Sequence, residues 1–131
     1  MKPKVLIIDD EEDIRSSLKM TFEYLNYDCV LAANGEAGLK IAARESPDLI
    51  LLDIKMPQMD GMEVLKRLKA EGEEAPVVIL SGHGNIQTAV EATQNGAWDF
   101  LEKPHDTNRI LLTLKHAFER VAMSAENERL R

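Results

Sequence analysis

The stretch Val5-Leu6-Ile7-Ile8-Asp9-Asp10-Glu11-Glu12 runs four apolar residues directly into four acids. A short continuous apolar run fits a strand buried on both faces, and the abrupt acidic tip marks where that strand leaves the core. The period then changes. Ile14, Leu18, Phe22 and Leu25 recur at spacings of three and four with Arg15 and Lys19 on other faces, which predicts a helix from Asp13 onward.

The same pairing of apolar run and amphipathic segment repeats down the chain. A strand over 27–32 precedes a helix over 35–45 that Ser46-Pro47 stops. Leu49-Ile50-Leu51-Leu52 runs into Asp53, and a helix over 60–70 follows, closed by Gly72. Val77-Val78-Ile79-Leu80 enters Ser81-Gly82-His83-Gly84, and the next helix covers about 85–94, with Asn95-Gly96 as a left-handed stop. The fifth strand spans Trp98 to Leu101, and a last helix starts near Thr107 with Ile110, Leu111, Leu114, Phe118 and Val121 on its apolar side. Parallel neighbours need long crossover connections, so alternating strands and helices specify an α/β domain whose parallel sheet is covered on both faces. The continuous apolar runs place strands one, three and four at its centre.

Bulk properties agree with one such domain. The chain has 131 residues, 44% hydrophobic and 30% charged, enough for a core and for solubility. A net charge of -7 repels phosphate backbones and anionic lipid, which argues against nucleic-acid or membrane binding by this chain. Cys29 is the single cysteine, so no internal disulfide forms, and its alternating surroundings read as a small buried hydrophobe in a strand rather than a reactive thiol. No apolar run approaches the length of a membrane span, and the expected compartment is the cytoplasm.

In an open parallel sheet the ligand crevice lies beyond the carboxyl ends of the strands, where strand order reverses. Those ends carry Asp9 and Asp10 after strand one, Asp53 after strand three, Ser81 after strand four and Lys103 after strand five. Three clustered carboxylates repel one another unless a cation compensates. Hard oxygen donors suit Mg2+, which keeps several waters and is held by one or two carboxylates plus a phosphate. Lys103 adds a point charge for a phosphoryl oxygen and Ser81 a hydroxyl donor. A carboxylate so placed can attack phosphorus to give an aspartyl phosphate.

These residues resemble the receiver domains of bacterial two-component response regulators over roughly residues 3–120. The matching pieces are Val5 to Glu11, Leu51-Leu52-Asp53-Ile54-Lys55-Met56-Pro57, Asp60-Gly61, Ser81-Gly82 and Lys103-Pro104. The resemblance implies a flavodoxin-like (βα)5 three-layer fold with strand order 2-1-3-4-5, and a domain over 1–120. It implies Asp53 as phosphoacceptor and Asp9, Asp10, Asp53 and the Lys55 carbonyl around Mg2+. Ser81 and Lys103 match the family's hydroxyl and lysine, with Lys103-Pro104 a cis peptide. Phe100 takes the position of an aromatic switch, without the hydroxyl of the tyrosine often found there, and simple core packing is its other reading. Trp98, two residues earlier, would share its side of the strand. Lys55 and His83 match positions that tune hydrolysis of the phosphoryl group. His105 and His116 lack metal-ligand spacing.

The 3-4 spacing of Leu111, Leu114, Phe118, Val121 and Ala125 continues the last helix, so 121–131 read as the start of a linker helix. Together with Gly96 to Pro104, this resembles the nitrogen-regulation type (NtrC or NtrX), which implies downstream ATPase and DNA-binding domains beyond this chain. The implied partners are a sensor histidine kinase and a second copy, through helix four, strand five and helix five or through the linker. The rival readings are an aspartyl-phosphate phosphatase, a free-standing relay or protein-binding receiver, and a degenerate receiver. Such phosphatases usually carry a second aspartate two residues after the nucleophile, where this chain has Lys55.

Overall fold

A computed structural model of the chain describes residues 2–56, 58–82, 86–102 and 109–119. The elements are β1 (Lys4–Ile8), α1 (Glu12–Tyr24), β2 (Asp28–Ala32), α2 (Gly35–Glu45), β3 (Leu49–Asp53), α3 (Gly61–Ala70), β4 (Val77–Ser81), α4 (Ile86–Gln94) and β5 (Asp99–Glu102). A further helix, α5, covers 109–119. All neighbouring strands pair in parallel, in the order β2-β1-β3-β4-β5. The expected α/β sheet and its order are therefore what the chain adopts. Strand order reverses between β1 and β3, because the chain first steps outward to β2 and then crosses back.

Side chains alternate across a strand, and the core divides accordingly. Leu6, Ile8, Ile50, Leu52, Val77 and Ile79 pack with Val64, Leu65 and Leu68 of α3 and with Ala42 and Ala92 of α2 and α4. On the other face Val5, Ile7, Leu49, Leu51, Val78 and Leu80 pack with Leu18 and Phe22 of α1 and Ile110 and Leu114 of α5. Tyr27 joins the second face at its edge, meeting Phe22 edge-on at 6.2 Å and stacking on Phe118 at 5.5 Å between ring centres.

Local chemistry fixes the helix ends near the strand tips. Asn34 accepts the Ala37 amide at 2.8 Å and Asp60 accepts the Glu63 amide at 3.0 Å, each satisfying a donor that an α-helix leaves unpaired. Gly96, at φ 97°, makes the left-handed stop after α4 that Asn95-Gly96 predicts.

Three expectations need correction. Leu25 does not belong to the apolar face of α1: the helix ends at Tyr24, Asn26 turns the chain at φ 69°, and Leu25 is 41% exposed. Strand β5 starts one residue later than expected. Trp98 lies in the bend before it, 37% exposed with its amide donated to the Val77 carbonyl at 2.7 Å, while Phe100 packs half-buried on the α3 face. Cys29 is half-buried rather than fully enclosed, since β2 is an outer strand. Among the described residues no helix is long and apolar enough to cross a membrane.

Candidate functional site

Sheet register brings the strand-end acids together. Ile8 is the partner of Leu52, so Asp9 and Asp53, each one residue further on, stand at the same level of adjacent strands, which lie about 4.8 Å apart. Asp10 follows in the turn toward α1. One carboxylate oxygen from each of Asp9, Asp10 and Asp53 lies within 4.8 Å of the others. Asp9 and Asp53 are 1% and 3% exposed, whereas Asp10 faces solvent. The cluster thus has a buried floor and an open edge.

Backbone donors hold these side chains. Asp9 Oδ1 accepts the Glu11 amide at 2.9 Å, and its own amide donates to Ala32 O at 3.1 Å. Asp53 Oδ1 accepts the Lys55 amide at 3.3 Å, and the next amide along, of Ile54, donates to Leu80 O at 3.1 Å. Gly61 closes the loop by donating its amide to Ile54 O at 2.8 Å. Ionised carboxylates accept at two oxygens each, so a backbone bond to one oxygen is compatible with a cation at the other.

The donor set fits Mg2+. All three donors are hard carboxylate oxygens, and they lie within 4.8 Å of one another, near enough to serve one small divalent cation. Without a cation, three negative charges at this range repel, and the low polarity beneath Asp9 and Asp53 screens them poorly.

Ser81 is the last residue of β4, fully buried, and pairs in register with Glu102, while its predecessor Leu80 pairs with Asp53. It therefore sits one level beyond the phosphoacceptor candidate. Lys55 is exposed at the rim. Phe100 stands on β5 opposite Ile79, separated from Asp53 by β4. Lys103, His83, His105 and the Lys103-Pro104 peptide lie outside the described residues. His116 is on the exposed side of α5.

Two contributors were missed in the sequence. Arg15 reads as one more solvated helix residue, yet its Nη1 donates to the Asp9 carbonyl at 2.7 Å. Gly61 follows a capping aspartate and gives no sign that its Cα abuts the Asp53 backbone. A separate cleft of about 440 Å³ opens between the ends of α2 and α3, lined by Ala42, Ser46, Asp48, Leu68 and Ala75. It lies at the opposite edge of the sheet, where the strands begin, and takes no part in the acid cluster.

Comparison with known proteins agrees with this geometry. The family model for the response regulator receiver domain matches residues 5–115. The nitrogen assimilation regulatory protein NtrX of Azorhizobium caulinodans is 38% identical over 133 residues, covering 100% of this chain and 29% of that protein. Regulatory protein AtoC of Escherichia coli is 34% identical, covering 94% and 27%. This chain therefore spans less than a third of the length of those relatives. Sporulation initiation phosphotransferase F of Bacillus subtilis is 41% identical over 84% of this chain and 89% of its own. Among solved structures, NtrX from Brucella abortus superposes with a TM-score of 0.92 at 35% identity, covering 100% of this chain and 30% of that one.

Proposed function

The chain belongs to the response regulator receiver domain family, and on that premise we propose that it is a phosphorylation switch driven by a sensor histidine kinase. Asp53 is the phosphoacceptor. One of its carboxylate oxygens attacks the phosphorus of the donor, the new O–P bond forming as the bond to the donor nitrogen breaks, and the donor imidazole leaves with the electron pair. The observation that carries this reading is the meeting of Asp9, Asp10 and Asp53 oxygens within 4.8 Å at the strand ends of a receiver fold.

Asp9, Asp10, Asp53 and the Lys55 carbonyl would hold Mg2+, which supplies charge neutralisation for the incoming phosphoryl group. Ser81 and Lys103 bind its remaining oxygens through a hydroxyl and an ammonium. Lys55 and His83 flank the group and set its lifetime against hydrolysis. Regulatory rather than catalytic turnover is the role: phosphorylation of the chain and its own dephosphorylation are the chemistry. The compartment is the cytoplasm.

Output runs through Phe100 and the face formed by α4, β5 and α5, which offers the dimer contact, with the linker over 121–131 as its other route. The resemblance to the nitrogen-regulation type implies an ATPase and a DNA-binding domain downstream in the longer protein, and the effect is then on transcription. The match to sporulation initiation phosphotransferase F, which extends over 89% of that protein, favours a second reading: a receiver that passes its phosphoryl group onward with no attached effector.

Incubation with acetyl phosphate, with and without Mg2+, tests the core of this reading by intact mass. The expected result is one Mg2+-dependent phosphate adduct that Asp53→Asn lacks. An adduct that persists in Asp53→Asn overturns it, and steady release of free phosphate at high turnover points to a phosphatase instead.

A further inference from the structure

We infer that Arg15 is a positioning residue for the acid pair, acting through the backbone of Asp9; the inference rests on the reading of Asp9, Asp10 and Asp53 as a Mg2+ site. Arg15 lies one turn into α1 and is half-buried, and its Nη1 donates to the Asp9 carbonyl oxygen at 2.7 Å, a short charge-assisted bond. That carbonyl belongs to the peptide joining Asp9 to Asp10, so the guanidinium fixes the plane from which both acids project. On the far side of the same residue, Asp9 Oδ1 accepts the Glu11 amide at 2.9 Å. The turn from β1 into α1 is thus held both through the Asp9 backbone and through its side chain.

The helix itself adds little at this end. Glu11 occupies its N-cap without a capping side-chain bond, unlike Asn34 and Asp60 at α2 and α3. Where a cap normally sets the entry angle of the chain, Asp9 and Arg15 set it here. Arg15 also brings a positive charge toward three carboxylates, and that second effect has the opposite sign for Mg2+. Loss of positioning weakens metal binding; loss of a nearby cation alone strengthens it. The direction of change therefore separates the two.

The test compares the wild-type chain with Arg15→Met, which keeps an apolar stem but neither charge nor donor, and with Arg15→Lys, which keeps both. Mg2+ affinity is read by calorimetry, and exchange of the Glu11 amide by NMR in the metal-free chain. Partners behind metal ligands usually matter by at least an order of magnitude, so Arg15→Met should bind Mg2+ on the order of tenfold more weakly. Its Glu11 amide should exchange faster, and Arg15→Lys should recover most of both. Equal or tighter Mg2+ binding by Arg15→Met overturns the positioning role while leaving the metal site standing. A wild-type chain that takes up no Mg2+ overturns the site reading, and this inference with it.

Discussion

Gly61 rests its Cα against the backbone of Asp53 so closely that an added β-carbon would lie 2.6 Å from the Ile54 Cα and nearer still to the Asp53 carbonyl oxygen. Neither atom is the end of a flexible side chain. Because the Gly61 amide also donates to Ile54 O at 2.8 Å, α3 cannot slide away without breaking the loop that carries Asp53. Gly61→Ala should cost about 1–3 kcal/mol in urea denaturation, the usual range for overpacking. Phosphate uptake from acetyl phosphate should fall further than the folded fraction does, since the displaced backbone is that of Asp53. Uptake that tracks the folded fraction sinks this explanation.

Binding to the folded state alone stabilises it by mass action. At a Mg2+ concentration a hundred times Kd, the gain is about 2.7 kcal/mol, readable as a higher melting temperature. Asp10→Asn removes one of three clustered charges from the open edge of the site. Its metal-free form should be at least as stable as the wild type, because repulsion is relieved, while most of the Mg2+-dependent gain disappears. Differential scanning calorimetry with and without Mg2+ measures both. An undiminished gain in Asp10→Asn removes that residue from the site.

Much of this was legible because a parallel sheet turns sequence position into spatial position. Val5 to Ile8 and Leu49 to Leu52 announce buried strands, and once both are parallel neighbours Asp9 and Asp53 must meet. Ser81 follows by the same logic. Helical periodicity tells which side Arg15 takes, not that its long side chain folds back onto the residue just past the preceding strand. The apolar spacing continues through Leu25, one residue beyond the helix, and nothing in a 3-4 pattern marks the turn at Asn26. Strand alternation puts Trp98 on the side of Phe100, a rule that does not reach it because the strand begins at Asp99.

Cys29 offers a pH-dependent check on the outer strand. Burial pushes its thiol from the ordinary 9.0 to about 11, with the acidic neighbours Glu23 and Asp28 adding to the rise and Lys19 opposing it. The thiolate is the reactive form. Alkylation by iodoacetamide should therefore keep accelerating above pH 9 and level off only near 11. The linked stability has a definite sign. A folded-state value above the unfolded one leaves this contribution whole below pH 9 and removes it between there and about 11, as the unfolded thiol ionises first. Alkylation that levels off near pH 9 shows that the strand leaves Cys29 more open to water than the structure does.

Trp98, the chain's sole tryptophan, lies two residues before Phe100, which makes it a reporter on the proposed output face. Phe100 packs half-buried on the cluster that contains Ile79 and Ala92, so an inward swing of its ring would draw on space at the junction of β5 with α4. No hydroxyl is available to fix such a swing by a phenolic hydrogen bond, which leaves ring packing to drive it. Phosphorylation should shift Trp98 emission in the wild-type chain, and Phe100→Leu, which preserves apolar bulk without the planar ring, should lose at least half of that shift. Both proteins must take up phosphate equally by intact mass for the comparison to count. An identical emission change in Phe100→Leu assigns Phe100 to the core and moves the switch elsewhere on the α4, β5 and α5 face.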